Sequence, residues 1–120
     1  MFGGLPQIFT GFKTNSFSVS LNERYPTYLL DPSQLWTSLG LLIAGASPAG
    51  YLIRETLDSC SNYTCAVKKL SETLIASPAY IIVGGTGFNE GAVISRDRWR
   101  SINISNLTDE TWYLVQTNDD

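Results

Sequence analysis

The sequence predicts an α+β domain in which an antiparallel sheet carries packed helices. Two observations lead there: runs of period-two alternation lie towards both ends of the chain, and three segments of helical period lie between them. Neighbouring strands are joined by hairpin-length connections, which favours antiparallel pairing over a doubly wound parallel sheet. The 120-residue length suits a single domain with a core of its own.

Taken in order, Ile8, Thr10 and Phe12 alternate with Gln7, Phe9 and Gly11. After Lys13-Thr14-Asn15, Phe17, Val19 and Leu21 alternate strictly with Ser16, Ser18 and Ser20, so the pair reads as a β-hairpin ending at Asn22-Glu23-Arg24 before Pro26. From Pro32 to Ile53 there is no charge, yet Ser33, Gln34, Thr37, Ser38, three glycines and Pro48 interrupt the run, which predicts two helices rather than a membrane span. The first, about 33–45, places Leu35, Leu39 and Leu42 at helical spacing with Trp36 and Ile43 one step round. A core-facing stripe is the expectation, and a lipid-contacting surface helix is the functional alternative. The second, about 48–59, opens with Ser47 as N-cap and Pro48 at the first position, and buries Ala49, Leu52, Ile53 and Leu57. A third, from Thr64 to about Ala76, turns Ala66, Val67, Leu70 and Leu74 inward and Lys68, Lys69 and Glu72 outward, and Pro78 stops it. Ala79–Val83, apolar on both faces, reads as a strand covered on both sides. Gly84–Gly87 turns the chain, Ala92–Ser95 returns it, 100–109 is a polar exposed loop, and Trp112–Thr117 supplies the last strand.

Composition excludes several chemistries. The chain has no histidine, so Ser-His-Asp and Cys-His catalysis and His-ligated zinc cannot be assembled from it alone, and no metal or cofactor site is expected. A net charge of −3 with no basic block longer than Lys68-Lys69 argues against a nucleic-acid partner. Met1 to Gln7 lacks a basic stretch followed by an apolar run, so no signal peptide is expected there. Three N-glycosylation sequons nevertheless begin at Asn62, Asn103 and Asn106 and point to a secreted or lysosomal full-length form. The spacing of Cys60 and Cys65 fits neither a zinc knuckle nor a redox Cys-x-x-Cys; the two close a local disulfide in an oxidising compartment and stay free thiols in a reducing one.

Gly85-Thr86-Gly87-Phe88-Asn89-Glu90-Gly91 looks like a phosphate loop, but its third glycine falls one residue late and a strand follows, so a β-turn is expected. Arg96-Asp97-Arg98 reads as a solvated charge cluster. Glu23 and Asn118 close strands, where functional side chains often sit.

The runs FTGFKTNSFSVSLNER ending at Arg24, ASPAYIIVGGTGFNEGAVISRDR from Ala76 to Arg98, and TWYLVQTN from Thr111 to Asn118 resemble the acid ceramidase and N-acylethanolamine-hydrolysing acid amidase family. TGFK and LNER lean towards the ceramidase branch and VGGT towards the ethanolamide amidase branch. The resemblance implies a four-layer αββα N-terminal-nucleophile hydrolase, made as a self-cleaving secreted precursor and delivered to lysosomes. In such enzymes a freed N-terminal cysteine attacks the amide carbonyl of an acyl lipid and its own α-amine, with a reference pKa near 8, handles the proton. By position, Asn118 corresponds to the oxyanion donor and Glu23 to the acidic residue beside the nucleophile, with Asn22 as its neighbour in the substrate site. Trp36, Leu39 and Ile43 fall in a variable hydrophobic region that contacts substrate and membrane. The nucleophile and its following arginine and aspartate lie upstream of these residues, and neither Cys60 nor Cys65 replaces it. Residues 1–120 are thus expected to be one partial domain, the middle of the catalytic β-subunit. The α-subunit and the rest of the β-subunit are its expected partners, and the chain alone is expected to be inactive. The alternative is an inactive stand-alone lipid-binding or interaction module of the same fold.

Overall fold

The computed structural model describes residues 7–24 and 32–118. Residues 1–6, where no signal peptide is expected, lie outside the described residues, as does Pro26. The Phe17-Val19-Leu21 alternation becomes β2 (Phe17–Glu23), paired on one side with β1 (Thr10–Lys13) and on the other with β3 (Ala79–Gly85). β4 (Gly91–Arg96) and β5 (Ser101–Asn106) follow, giving an antiparallel sheet in the order β1-β2-β3-β4-β5. Between β2 and β3 the chain makes α1 (Pro32–Ile43), α2 (Ala49–Ser59) and α3 (Tyr63–Glu72).

Period two decides which face is covered. Phe17 and Val19, in register with Gly85 and Val83, turn towards the helices, as do Ile81 and its partner Ile94. They meet Leu52 and Ile53 from α2 and Ala66 and Leu70 from α3, each fully buried. The buried Thr56 hydroxyl is satisfied by donating to the Leu52 carbonyl at 2.7 Å.

The hairpin turns sit together at one end of the sheet. Asn15 adopts φ 55° in the β1–β2 turn, a left-handed conformation that asparagine tolerates. From that turn Lys13 Nζ donates to the Cys60 carbonyl at 2.7 Å and Ser16 Oγ to the Ser61 carbonyl at 2.8 Å, tying the hairpin to the α2–α3 connection. Cys60 and Cys65 form a disulfide across that connection with a Cα separation of 5.5 Å. At the β3–β4 turn the Glu90 carboxylate accepts from the amides of Thr86 at 3.0 Å and Gly87 at 2.8 Å. The glycine-rich segment is therefore a turn whose amides are already occupied, as its sequence predicts.

Arg96 departs from expectation. Its side chain is 0 % exposed, and its guanidinium donates to the carbonyls of Leu70 and Thr73 at the C-terminal end of α3. Burial pushes its pKa below the usual arginine value, with Asp97 opposing. The solvated cluster expected at 96–98 is instead a buried cation holding orphan helix carbonyls.

Other boundaries also shift. β5 lies in the stretch read as a loop, because pairing with β4, Ile94 against Ile104, decides a strand whose own alternation is weak. Residues 112–117, read as the last strand, are not in a strand: they have no ladder partner among the described residues, and Trp112, Tyr113 and Val115 are exposed. α3 ends at Glu72, four residues early, as Ile75 leaves to form a parallel bridge with Ser47. Pro48, without a side-chain cap, takes the N-cap place expected of Ser47. α1 is not the core-facing helix expected: Leu41 is buried against Ala46 and Ala76, but Leu35, Trp36 and Ile43 are 77 %, 73 % and 81 % exposed.

Two stability outcomes follow. Arg96→Met leaves two α3 carbonyls without donors and should lower unfolding free energy by about 3 kcal/mol in denaturant titration, with Arg96→Lys intermediate. Closing a loop of sequence separation 5, the disulfide contributes about 2 kcal/mol by chain entropy, so reductant or Cys60→Ser with Cys65→Ser should lower the urea midpoint accordingly.

Candidate functional site

At the end of the sheet opposite the hairpin turns, β2 finishes, β3 begins and β4 finishes. The α1–α2 connection reaches the same end, because Ser47 N donates to the Leu74 carbonyl at 3.2 Å and Ala76 N to the Ser47 carbonyl at 3.0 Å. Between these elements lies an open-sided cavity of about 740 Å³. Phe9, Leu21, Leu42, Pro48 and Ala49 give it apolar walls, the Ala76–Ala79 segment its far side, and Gln7 and Asn22 its polar atoms. The sequence dictates this composition: Leu21 ends the apolar face of β2, and the uncharged run from Pro32 to Ile53 supplies Leu42, Pro48 and Ala49. None of the described lining residues ionises. The arrangement suits a mostly apolar ligand that presents one or two polar groups.

Beside the cavity, on the sheet face away from the helices, Asn22 stands in register with Tyr80. Tyr80 is only 2 % exposed; its hydroxyl accepts from Arg24 Nε at 3.3 Å, and the guanidinium lies 5.6 Å from the ring centroid. This contact ties Arg24, the residue after β2, to β3, so the cavity rim stands beside a strand end fixed by side chains.

The residues singled out by sequence are distributed unevenly. Asn22 lines the cavity. Glu23 is placed by its backbone next to Ala79 of the cavity wall, and its side chain lies outside the described residues. Trp36, Leu39 and Ile43 lie on the exposed surface of α1, not in the cavity, while Leu42 of the same helix lines it. Asn118 is exposed in a bend after the 112–117 segment, and no hydrogen bond joins it to Asn22 among the described residues. Asn62, Asn103 and Asn106 are all exposed, and Cys60 and Cys65 are paired with each other. Sequence reasoning missed Phe9, Leu21, Leu42 and Pro48 as a group, and the only signal for them was apolar character near element ends. Among the described residues no group of three or more potential metal ligands occurs, and no helix is long and apolar enough to cross a membrane.

No family model matches the chain. Individual proteins do. The chain is 38 % identical over 117 residues to N-acylethanolamine-hydrolyzing acid amidase of Caenorhabditis elegans, covering 94 % of this chain and 31 % of that protein. It is 40 % identical to acid ceramidase of Pan troglodytes, with 99 % of this chain and 30 % of that protein covered, and 39 % identical to acid ceramidase of Homo sapiens over the same shares. Among solved structures, the Caenorhabditis elegans N-acylethanolamine-hydrolyzing acid amidase ortholog superposes with a TM-score of 0.85 at 35 % identity, covering 100 % of this chain and 50 % of that one. The chain thus spans less than a third of the length of these curated relatives and half of the solved one. Alignment over 94–99 % of this chain at 38–40 % identity, together with a shared sheet and helix layer, makes this chain a member of the acid ceramidase and N-acylethanolamine-hydrolysing acid amidase family.

Proposed function

We propose that this chain supplies part of the acyl-binding wall and one oxyanion donor of a lysosomal lipid amidase that cleaves ceramide or N-acylethanolamine to a fatty acid and an amine. The observation that carries this reading is the apolar cavity bounded by β2, α2 and the end of α1, with the Asn22 amide at its rim. An acyl chain fits an apolar slot, and the amide group of an acyl amide needs the few polar contacts at its mouth. The nucleophile and the proton-transferring α-amine come, in this reading, from outside the described cavity lining, which brings no ionisable group. In this reading Asn118 donates to the tetrahedral oxyanion once the 112–117 segment has a strand neighbour, and Glu23 stands beside the nucleophile.

The exposed side of α1 supports a second part of the proposal. Leu35, Trp36 and Ile43 form an uncharged surface on the helix whose Leu42 lines the cavity. An acyl lipid leaves a bilayer most easily into a slot that opens beside a membrane-seated apolar helix.

Three measurements test this reading. The 120-residue chain alone should release no fatty acid from either amide, and turnover by it would overturn the division of labour. In the full-length protein Asn118→Ala should lower turnover of ceramide or N-acylethanolamine by roughly 10²-fold with the circular dichroism spectrum retained, and unchanged turnover would remove the assigned role. Replacing Leu35, Trp36 and Ile43 by serine should weaken adsorption to phospholipid vesicles by about tenfold or more, while leaving turnover of a short-chain soluble acyl amide intact.

A further inference from the structure

The three sequons occupy different places on the fold. Asn62 is the N-cap of α3, and its Oδ1 accepts from the Cys65 amide at 2.9 Å. That cap uses the oxygen and leaves Nδ2 without a partner among the described residues. A glycosylated asparagine keeps its carbonyl oxygen, so cap and glycan are compatible. Asn106 is exposed at the last position of β5, where the chain turns at Leu107, whose amide donates to the Gly91 carbonyl at 2.8 Å. Both positions lie at the hairpin end of the sheet: Asn106 is in register with Ala92 beside the β3–β4 turn, and Ser61, next to Asn62, accepts from Ser16 of the β1–β2 turn.

Asn103 is different. It stands mid-strand on the sheet face away from the helices, opposite Ser95, and its Nδ2 already donates to Ser105 Oγ at 3.1 Å. Tyr80 and Val93 on that face are 2 % and 6 % exposed, so Asn103 belongs to a face whose other side chains are partly covered. The Asn103 and Asn106 sequons lie end to end, 103–105 and 106–108, so the two asparagines are only three residues apart. Asn106-Leu107-Thr108 offers threonine, the better third residue, where Asn103-Ile104-Ser105 offers serine.

We propose that Asn62 and Asn106 carry N-linked glycans, that Asn103 does not, and that the sugars gather at the end of the molecule opposite the apolar cavity. The transfer itself uses a lipid diphosphate-linked oligosaccharide. Asparagine Nδ2 attacks the anomeric carbon of its first sugar, and the new N–C bond replaces that carbon's bond to the phosphate oxygen. The lipid diphosphate leaves with the electron pair, and Nδ2 gives up one proton to the transferase. With the cavity at one end and hydrated sugars at the other, the glycans leave the cavity end free to meet a membrane; this last step rests on the lipid-facing reading above.

The full-length protein secreted from insect cells tests both parts. N-glycans are removed enzymatically in heavy-oxygen water, and the labelled aspartates are located by peptide mass spectrometry. Label is expected at 62 and 106 and not at 103, with Asn106→Gln and Thr108→Ala each losing one glycan and Asn103→Gln losing none. Label at 103, or its absence from 62 or 106, overturns the assignment. Flotation with phosphatidylcholine vesicles containing an anionic phospholipid should give the same bound fraction before and after deglycosylation. A higher bound fraction after sugar removal overturns the orientation, whereas no flotation of either form defeats the lipid-facing reading and not the glycan assignment.

Discussion

The arrangement depends on one buried cation. Arg96 ends β4 with its guanidinium inside the protein, and the groups it meets are the last carbonyls of α3. A helix C-terminus carries partial negative charge on carbonyls that have no internal donor, and a planar guanidinium with several N–H groups satisfies more than one of them. The contact fixes which end of α3 lies over which end of the sheet. α3 must then start at the hairpin end, and α2, joined to it by the short Cys60–Asn62 connection, must run the other way. The α1–α2 connection is thereby delivered to the end of the sheet where the cavity opens.

The hairpin end is fixed by separate means. Lys13, Ser16, the disulfide, the Asn62 cap and the Glu90 carboxylate each close a local gap in backbone hydrogen bonding or chain entropy, and they cluster within the turns and the α2–α3 connection. The opposite end is tied as well, by Arg96 on the Leu70 and Thr73 carbonyls, by the Arg24–Tyr80 contact and by the Ser47–Ile75 bridge. Between those ties the element ends leave a partly open wall, as a cavity that admits a ligand requires. One end of this small sheet is thus closed by its turns, and the other leaves an opening between strand and helix ends.

Much of this was legible in the sequence, and the failures have physical causes. The Ser/Phe/Val/Leu alternation of β2, the buried faces of α2 and α3 and the β3–β4 turn follow from period and turn chemistry and need no distant partner. β5 and the 112–117 segment were misread for one shared reason: a strand exists only where a neighbour completes its ladder. Ser101–Asn106, poor in apolar residues, finds β4, while the strongly β-prone Trp112–Thr117 has no ladder partner among the described residues. Arg96 was read as solvated because a charge at a strand end usually is; only tertiary contact with Leu70 and Thr73 reveals its role. Of the site, Asn22 was named from position, but the apolar walls were not, because single apolar residues near element ends do not announce that they converge.

The absence of histidine gains meaning beside the cavity. Amide hydrolysis needs a nucleophile, a base and stabilisation of the developing oxyanion, and these requirements are separable in space provided the groups meet at the carbonyl. The described lining here offers apolar surface and neutral polar groups, which under the proposed reading would hold an acyl amide without competing for protons. A neutral wall also keeps the local dielectric low, which strengthens every hydrogen bond aimed at the reacting carbonyl and raises the cost of any charge left unpaired. Proton transfer is then best performed by a group that enters from outside the wall with its own tuned pKa, and a chain-terminal amine meets that condition without a side chain. Under the proposed reading the neutrality of this wall is therefore a constraint: whatever completes the site would have to bring both the nucleophile and the base to the strand end where Asn22 stands.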